Sequence, residues 1–167
     1  GKLDSATVTT DQLHISSADT LSFEEGVKGQ AVVFDGAHGV RLPNDLITTS
    51  SYSLSLWVKP EEFTSSTPSF FGASSLDHWL SVVPMGWNNE TLLWSKDFDN
   101  WYDGITGTLI PLNKWSHLTV TIDEGIAKVY INGEEKFVGS EFPDLFTGGN
   151  AECGLGVNYW DAPFKGL

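Results

Sequence analysis

Between Trp115 and Phe137 the chain alternates apolar and polar residues at period two on both sides of a two-residue Glu-Gly step. That pattern admits little except antiparallel β-strands joined by tight turns. Leu118, Val120 and Ile122 recur at every second position before the step, and Ala127, Val129 and Ile131 do the same after it. Glu124-Gly125 and Asn132-Gly133 supply residues that tolerate the positive φ a two-residue hairpin turn demands. Each strand then has one apolar face, which must be buried against a second layer.

The same punctuation recurs along the chain. Short apolar segments separated by Gly, Pro, Asn, Asp and Ser predict strands near 6–9, 12–15, 20–23, 30–35, 39–42, 51–59, 69–73, 78–83, 91–95, 108–110, 115–123, 126–132, 135–138, 153–158 and 163–167. Single helical turns are expected at Pro43–Leu46 and Pro143–Phe146. No repeat or low-complexity linker interrupts the series, so residues 1–167 read as a single all-β domain. No apolar run approaches the roughly 20 residues of a membrane helix, so no membrane insertion is expected.

Charge narrows the partners. With 22 acidic and 9 basic residues the net charge is −13, which disfavours nucleic acid, anionic lipid and highly sulfated glycans. Neutral polysaccharide, protein, or a cation held by carboxylates remain. The single cysteine, Cys153, has no partner for an internal disulfide and reads as a small buried hydrophobe.

Four stretches, in order, resemble the laminin G-like, concanavalin A-like jelly-roll modules of bacterial extracellular proteins. They are G-x-A-V-x-F-D-G at Gly29–Gly36, Y-S-L-S-L-W-V-K-P at Tyr52–Pro60, W-S-H-L-T-V-T-I-D-x-G-x-A-K-V-Y-I-N-G from Trp115, and L-G-V-N-Y-W at Leu155–Trp160. The resemblance implies a jelly-roll sandwich of two antiparallel sheets and an extracellular or cell-surface location. It also implies a further strand after Gly166-Leu167. It does not select a function, because the same sandwich carries lectins, adhesion modules, hydrolases and spacers.

The best functional signal is an aromatic-rich region between residues 77 and 103. In Asp77-His78-Trp79-Leu80-Ser81-Val82-Val83, placing Leu80 and Val82 in the core turns Trp79 outward together with Asp77. Trp87-Asn88-Asn89 follows in a loop, Trp94 sits on or just after a strand, and Trp101-Tyr102-Asp103 reads as a polar loop. Exposed indoles stack on the apolar faces of sugar rings, while Asp, Asn and His meet the hydroxyls. The candidate ligand-binding set is Asp77, His78, Trp79, Trp87, Asn88, Trp101, Tyr102, Asp103, Asn158 and Asp161. Trp57 and Trp115, inside strands that match the family, are expected between the sheets. Trp160 is expected to plug one end of the sandwich beneath the ligand loops, with Asp161 capping the turn before Pro163.

Asp97, Asp99 and Asp103 lie close enough in sequence for one loop to present three carboxylates to calcium, followed by Gly104 for the turn. The resemblance adds a second structural calcium option, with Asp4, Glu25 or Asp35 as a ligand. His14, His38 and His117 show no paired spacing for zinc, and His117 reads as a satisfied, partly buried histidine. The E-x-D-x-E strand motif of laminarinase-type jelly-roll glycosidases is absent, as is a nucleophile elbow. The expected function is a non-catalytic carbohydrate-binding module, and the resemblance implies one that accompanies a secreted glycoside hydrolase in the same parent chain. The alternative is a spacer or protein-recognition module, and an enzyme fragment stands behind both.

Overall fold

Turn chemistry and strand alternation together produce an entirely antiparallel structure. A computed structural model describes residues 6–64 and 66–167. In chain order the strands are β1 (Thr7–Thr9), β2 (Ser22–Glu25), β3 (Gln30–Asp35), β4 (Gly39–Arg41), β5 (Tyr52–Val58), β6 (Phe70–Ser75) and β7 (His78–Val83). They continue as β8 (Leu92–Asp97), β9 (Asn100–Ile105), β10 (Ser116–Asp123), β11 (Ile126–Ile131), β12 (Glu134–Gly139), β13 (Glu152–Leu155) and β14 (Lys165–Gly166). One layer is a seven-stranded sheet in the order β1-β4-β13-β6-β7-β8-β9, and facing it is a four-stranded sheet, β12-β11-β10-β5. A small sheet, β14-β3-β2, is tied to the end of β5 through Lys59 and Leu167, whose backbones exchange bonds of 2.8 and 3.1 Å.

The hairpin read from the sequence is present in its expected register: Leu118 opposes Ile131, Val120 opposes Val129, and Ile122 opposes Ala127. Glu124 and Gly125 both take positive φ (46° and 77°), the mirror-image turn whose twist matches the strands it joins. These inward residues meet Phe70, Leu80, Val82 and Leu93 of the seven-stranded sheet in one core, which also buries Phe146 and Cys153. Burial pushes the Cys153 thiol up to about 12, so it stays protonated and acts as packing.

Several local expectations are corrected. Residues 12–15 form a turn, not a strand; Leu13 is fully buried because it packs on the outer face of the seven-stranded sheet, near Phe71 and Val157. Residues 108–110 are irregular, and Ile110 reaches the core because its amide donates to the buried Thr91 hydroxyl at 3.1 Å. No helical turn forms at Pro43–Leu46 or Pro143–Phe146. The expected loop at 101–103 is instead strand β9, the edge of the large sheet. Trp57 is not interior: with Leu54 and Leu56 packed inward it turns outward, 47% exposed, against His117 at 4.8 Å. His117 is satisfied as expected, its Nε2 2.8 Å from Ser55 Oγ. An apolar channel of about 390 Å³ lies beside β3 and β5, bordered by Val32, Leu56 and Phe164.

Candidate functional site: an indole-lined cleft on the large sheet

The outer face of the seven-stranded sheet is as apolar as its inner face over β6, β7 and β8, and that excess organises the site. Strand alternation sends Leu80 and Val82 to the core and Trp79, Ser81 and Val83 to the other side. The same alternation on β8 turns Trp94 and Lys96 outward, and on β9 Trp101 and Asp103. Across the strands Trp79 opposes Lys96, which opposes Trp101; Ser81 opposes Trp94, which opposes Asp103. Two rows of outward side chains therefore cross the sheet edge.

Large flat rings crowded at this spacing pack on each other. Trp94 and Trp101 stack with centroids 5.3 Å apart and planes 26° from parallel. Trp79 lies beneath, edge-on to Trp94 at 5.3 Å and to Trp101 at 5.7 Å, the geometry that sets a positive ring edge against a negative face. Trp160, from the loop after β13, covers Trp79 from the other side at 5.7 Å. The consequence is a correction: Trp79 does point outward, yet only 4% of it is exposed, because three other indoles roof it. Trp101 (54%) and Trp160 (53%) carry the exposed ring surface, and Trp160 is not a plug.

Polar groups fix the rings and rim the cleft. Lys96 Nζ lies 2.5 Å from Asp77 Oδ1 and 5.4 Å from the Trp101 ring centroid, so one ammonium holds the carboxylate and the indole together. Asn158 Oδ1 accepts the backbone amides of Trp160 (2.9 Å) and Asp161 (2.8 Å), and its Nδ2 donates to Asp161 Oδ2 at 2.6 Å. Asn158, not Asp161, therefore caps this turn. Burial raises the Asp161 carboxyl above its ordinary value, partly offset by the Asn158 hydrogen bond. Ser81 Oγ, at the floor, is buried and has no hydrogen-bond partner among the described residues. Together Asp77, Trp94, Lys96, Trp101, Asn158 and Trp160 border a cleft of about 480 Å³.

The structure divides the remaining candidates. Trp87 is 55% exposed and donates from Nε1 to Asp103 Oδ1 at 3.4 Å, so these two meet beside the cleft. Asn88 bonds within its own loop, donating to the Glu90 carboxylate and accepting the Glu90 amide. That loop lies on the sheet, since a Cβ at Gly86 would collide with Leu92. His78 shares the parity of Leu80, faces away from the cleft, and pairs with Asp97 at 2.7 Å beside Phe98. Tyr102 also faces the core side of β9, edge-on to Phe142 at 5.0 Å, with no room for a Cβ on Gly139 next to its hydroxyl. Neither His78 nor Tyr102 can reach a ligand in the cleft.

The calcium loop is likewise dispersed. Asp97 and Asp103 stand on opposite faces of the β8–β9 hairpin, because an even separation in sequence is undone by the turn between the strands. No group of three potential ligands converges among the described residues. Asp35 is occupied by His38, Glu25 is exposed on β2, and Asp4 lies outside the described residues. The candidate set read from the sequence contains neither Trp94 nor Lys96; their shared parity two residues apart was the available signal.

A family model described as the concanavalin A-like lectin/glucanases superfamily matches residues 34–167. The chain belongs to the concanavalin A-like lectin/glucanase superfamily. Among solved structures, domain 4 of AbnA, a GH43 extracellular arabinanase from Geobacillus stearothermophilus in complex with arabinotriose, is 49% identical. That similarity covers 97% of this chain and 78% of that one, with a TM-score of 0.94. The alginate lyase AlyC3 (13% identity, TM-score 0.56, covering 98% and 85%) shares the superfamily's fold. So does an SAP-like pentraxin from Limulus polyphemus (10% identity, TM-score 0.51, covering 96% and 71%). No curated protein sequence matches significantly.

Proposed function

We propose that the chain is a single non-catalytic carbohydrate-binding module that holds a neutral, arabinan-type glycan across Trp94, Trp101 and Trp160. The observation that carries this reading is the Trp94–Trp101 stack, half-exposed on a rigid sheet and bordered by hydroxyl-binding groups. Such a surface offers an apolar platform for a sugar face, with Asp77 and Lys96 to select hydroxyl orientation, while Asn158, buried and fully bonded, only holds the Trp160 turn in place. The choice of sugar rests on the 49% identity to a domain solved with arabinotriose. The surplus of acidic residues agrees with an uncharged polymer, since uronic or sulfated chains meet like charge.

The chemistry available supports accessory action. The Asp77 carboxylate is paired with Lys96, and Asp161 is bonded to Asn158, so neither is set up as a free nucleophile. A linked hydrolase in the parent chain, exported from the cell, gains local concentration on its polymer when such a module binds. Calorimetric titration with arabinotriose and longer arabino-oligosaccharides tests the reading: saturable binding that Trp101→Ala removes is the expected result. Wild-type protein that binds no arabino-oligosaccharide overturns it, and release of reducing sugar from arabinan overturns the non-catalytic half.

A further inference from the structure

We propose that the glycan site continues past Trp160 into a second cleft, walled by Thr10–Gln12 and His38, which takes the sugar residues following those on Trp94 and Trp101. This rests on the reading of the first cleft as a glycan site.

The second cleft, about 490 Å³, is as large as the first and shares Trp160 and Asp161 with it. An indole has two faces and two long edges, and half of the Trp160 surface is open although Trp79, Tyr159 and Phe71 pack against it. The ring therefore stands as a partition between two spaces, and a chain leaving the first space meets it again from the second.

The far walls are polar and already in place. Leu13 donates its amide to Asn158 O at 2.9 Å, and Gly36 donates to Phe164 O at 3.1 Å. Both walls are thus fastened to the segment 158–164 that also builds the first cleft. His38 is held from both sides, its Nδ1 2.8 Å from Asp35 and its Nε2 3.1 Å from Asp19, so the imidazole is a fixed surface. By contrast, the side chains of Asp11 and Gln12 make no hydrogen bond or ion pair among the described residues, and both residues line the cleft, Asp11 exposed and Gln12 half-buried. A fixed frame carrying unengaged carboxylate and amide groups beside an indole is a hydroxyl-reading surface whose ordering cost is largely met before binding.

Strand spacing sets the span between the far sides of the two clefts. From β9, which bears Trp101, to β1, which leads into Thr10, the sheet order counts six neighbouring steps, about 29 Å at the usual strand spacing. A trisaccharide resting on Trp94 and Trp101 stops short of that distance. Only a longer chain engages both.

The test is a length series. Arabino-oligosaccharides of three to eight residues are titrated into the wild-type protein, the Asp11→Ala/Gln12→Ala double variant, and Trp101→Ala. The expected result is wild-type affinity rising by roughly tenfold or more from the shortest to the longest ligand. The double variant should bind the trisaccharide as the wild type does and lose that rise. Affinity independent of length, or a rise that survives in the double variant, overturns the second cleft while leaving the first reading intact. Failure of the wild type to bind any member of the series overturns both.

Discussion

Trp94 and Trp101 stack at 5.3 Å although they are not register partners: Trp94 stands opposite Asp103, and Trp101 opposite Lys96. The diagonal offset leaves Lys96 beside the Trp101 ring, where it also binds Asp77. Ring orientation is therefore set by a charge pair as well as by packing, and the ligand meets a surface ordered beforehand.

Because half of Trp101 is already in water, its removal should separate binding from folding. Trp101→Ala is expected to weaken arabinotriose binding by about 30-fold or more, the signature of an aromatic anchor. Its unfolding free energy should fall by only about 0.5–1.5 kcal/mol, the worth of the lost ring pairs. Calorimetry and urea titration on one sample measure both. A variant that binds like the wild type would exclude the stack from the site.

Trp79 should show the opposite balance. It is roofed by Trp94, Trp101 and Trp160 and packs on Phe71, so Trp79→Ala opens a cavity under the platform. The expected cost is about 3–5 kcal/mol in denaturant unfolding. Trp79→Phe should recover part of the stability, and binding with it, because the overlying rings regain support. Equal denaturant midpoints for Trp79→Ala and the wild type would contradict the buried position.

Asp161 provides a test by pH. Burial raises its carboxyl above the ordinary 3.8, with the Asn158 hydrogen bond acting against that rise. The folded protein thus keeps this proton to higher pH than the unfolded chain does. Stability from this group is complete below the unfolded value and is lost as pH rises through the folded one. Asp161→Asn keeps an oxygen for Asn158 Nδ2 and removes the charge. Its thermal midpoint should exceed that of the wild type near neutrality, with the gap closing at about pH 3. A gap that is unchanged by pH would assign the effect to packing.

What the sequence made legible was parity, and what it concealed was the partner across space. The β10–β11 hairpin was readable because Leu118, Val120 and Ile122 mark their own inward face and Glu124-Gly125 marks the turn. Strand β9 was not, because its inward positions are Tyr102 and Gly104 and its outward ones are Trp101 and Asp103, so no apolar alternation appears. Trp79 was correctly turned away from the core, yet outward did not mean wet, since its cover comes from residues 15, 22 and 81 positions later in the chain. Trp57 is the converse case. The parity of Tyr52, Leu54 and Leu56 places it outside, whereas the family pattern implied the interior. Lys96 was invisible as a site residue because a lone lysine after a tryptophan says nothing until Asp77 is known to lie beside it.

The dispersal of the acidic run Asp97–Asp103 has a measurable consequence. Calcium requires six or more oxygens in one shell. Here Asp97 is turned to His78 on one side of the hairpin, while Asp103 accepts from Trp87 on the other. Asp99, in the turn between β8 and β9, is left with neither carboxylate at hand. Millimolar calcium should therefore leave the thermal midpoint where a chelator leaves it, and Asp99→Asn should change neither the midpoint nor arabinotriose affinity. A chelator-sensitive midpoint that Asp99→Asn abolishes would mean that this hairpin gathers its carboxylates around an ion, and the register between Asp97 and Asn100 would have to change to allow it.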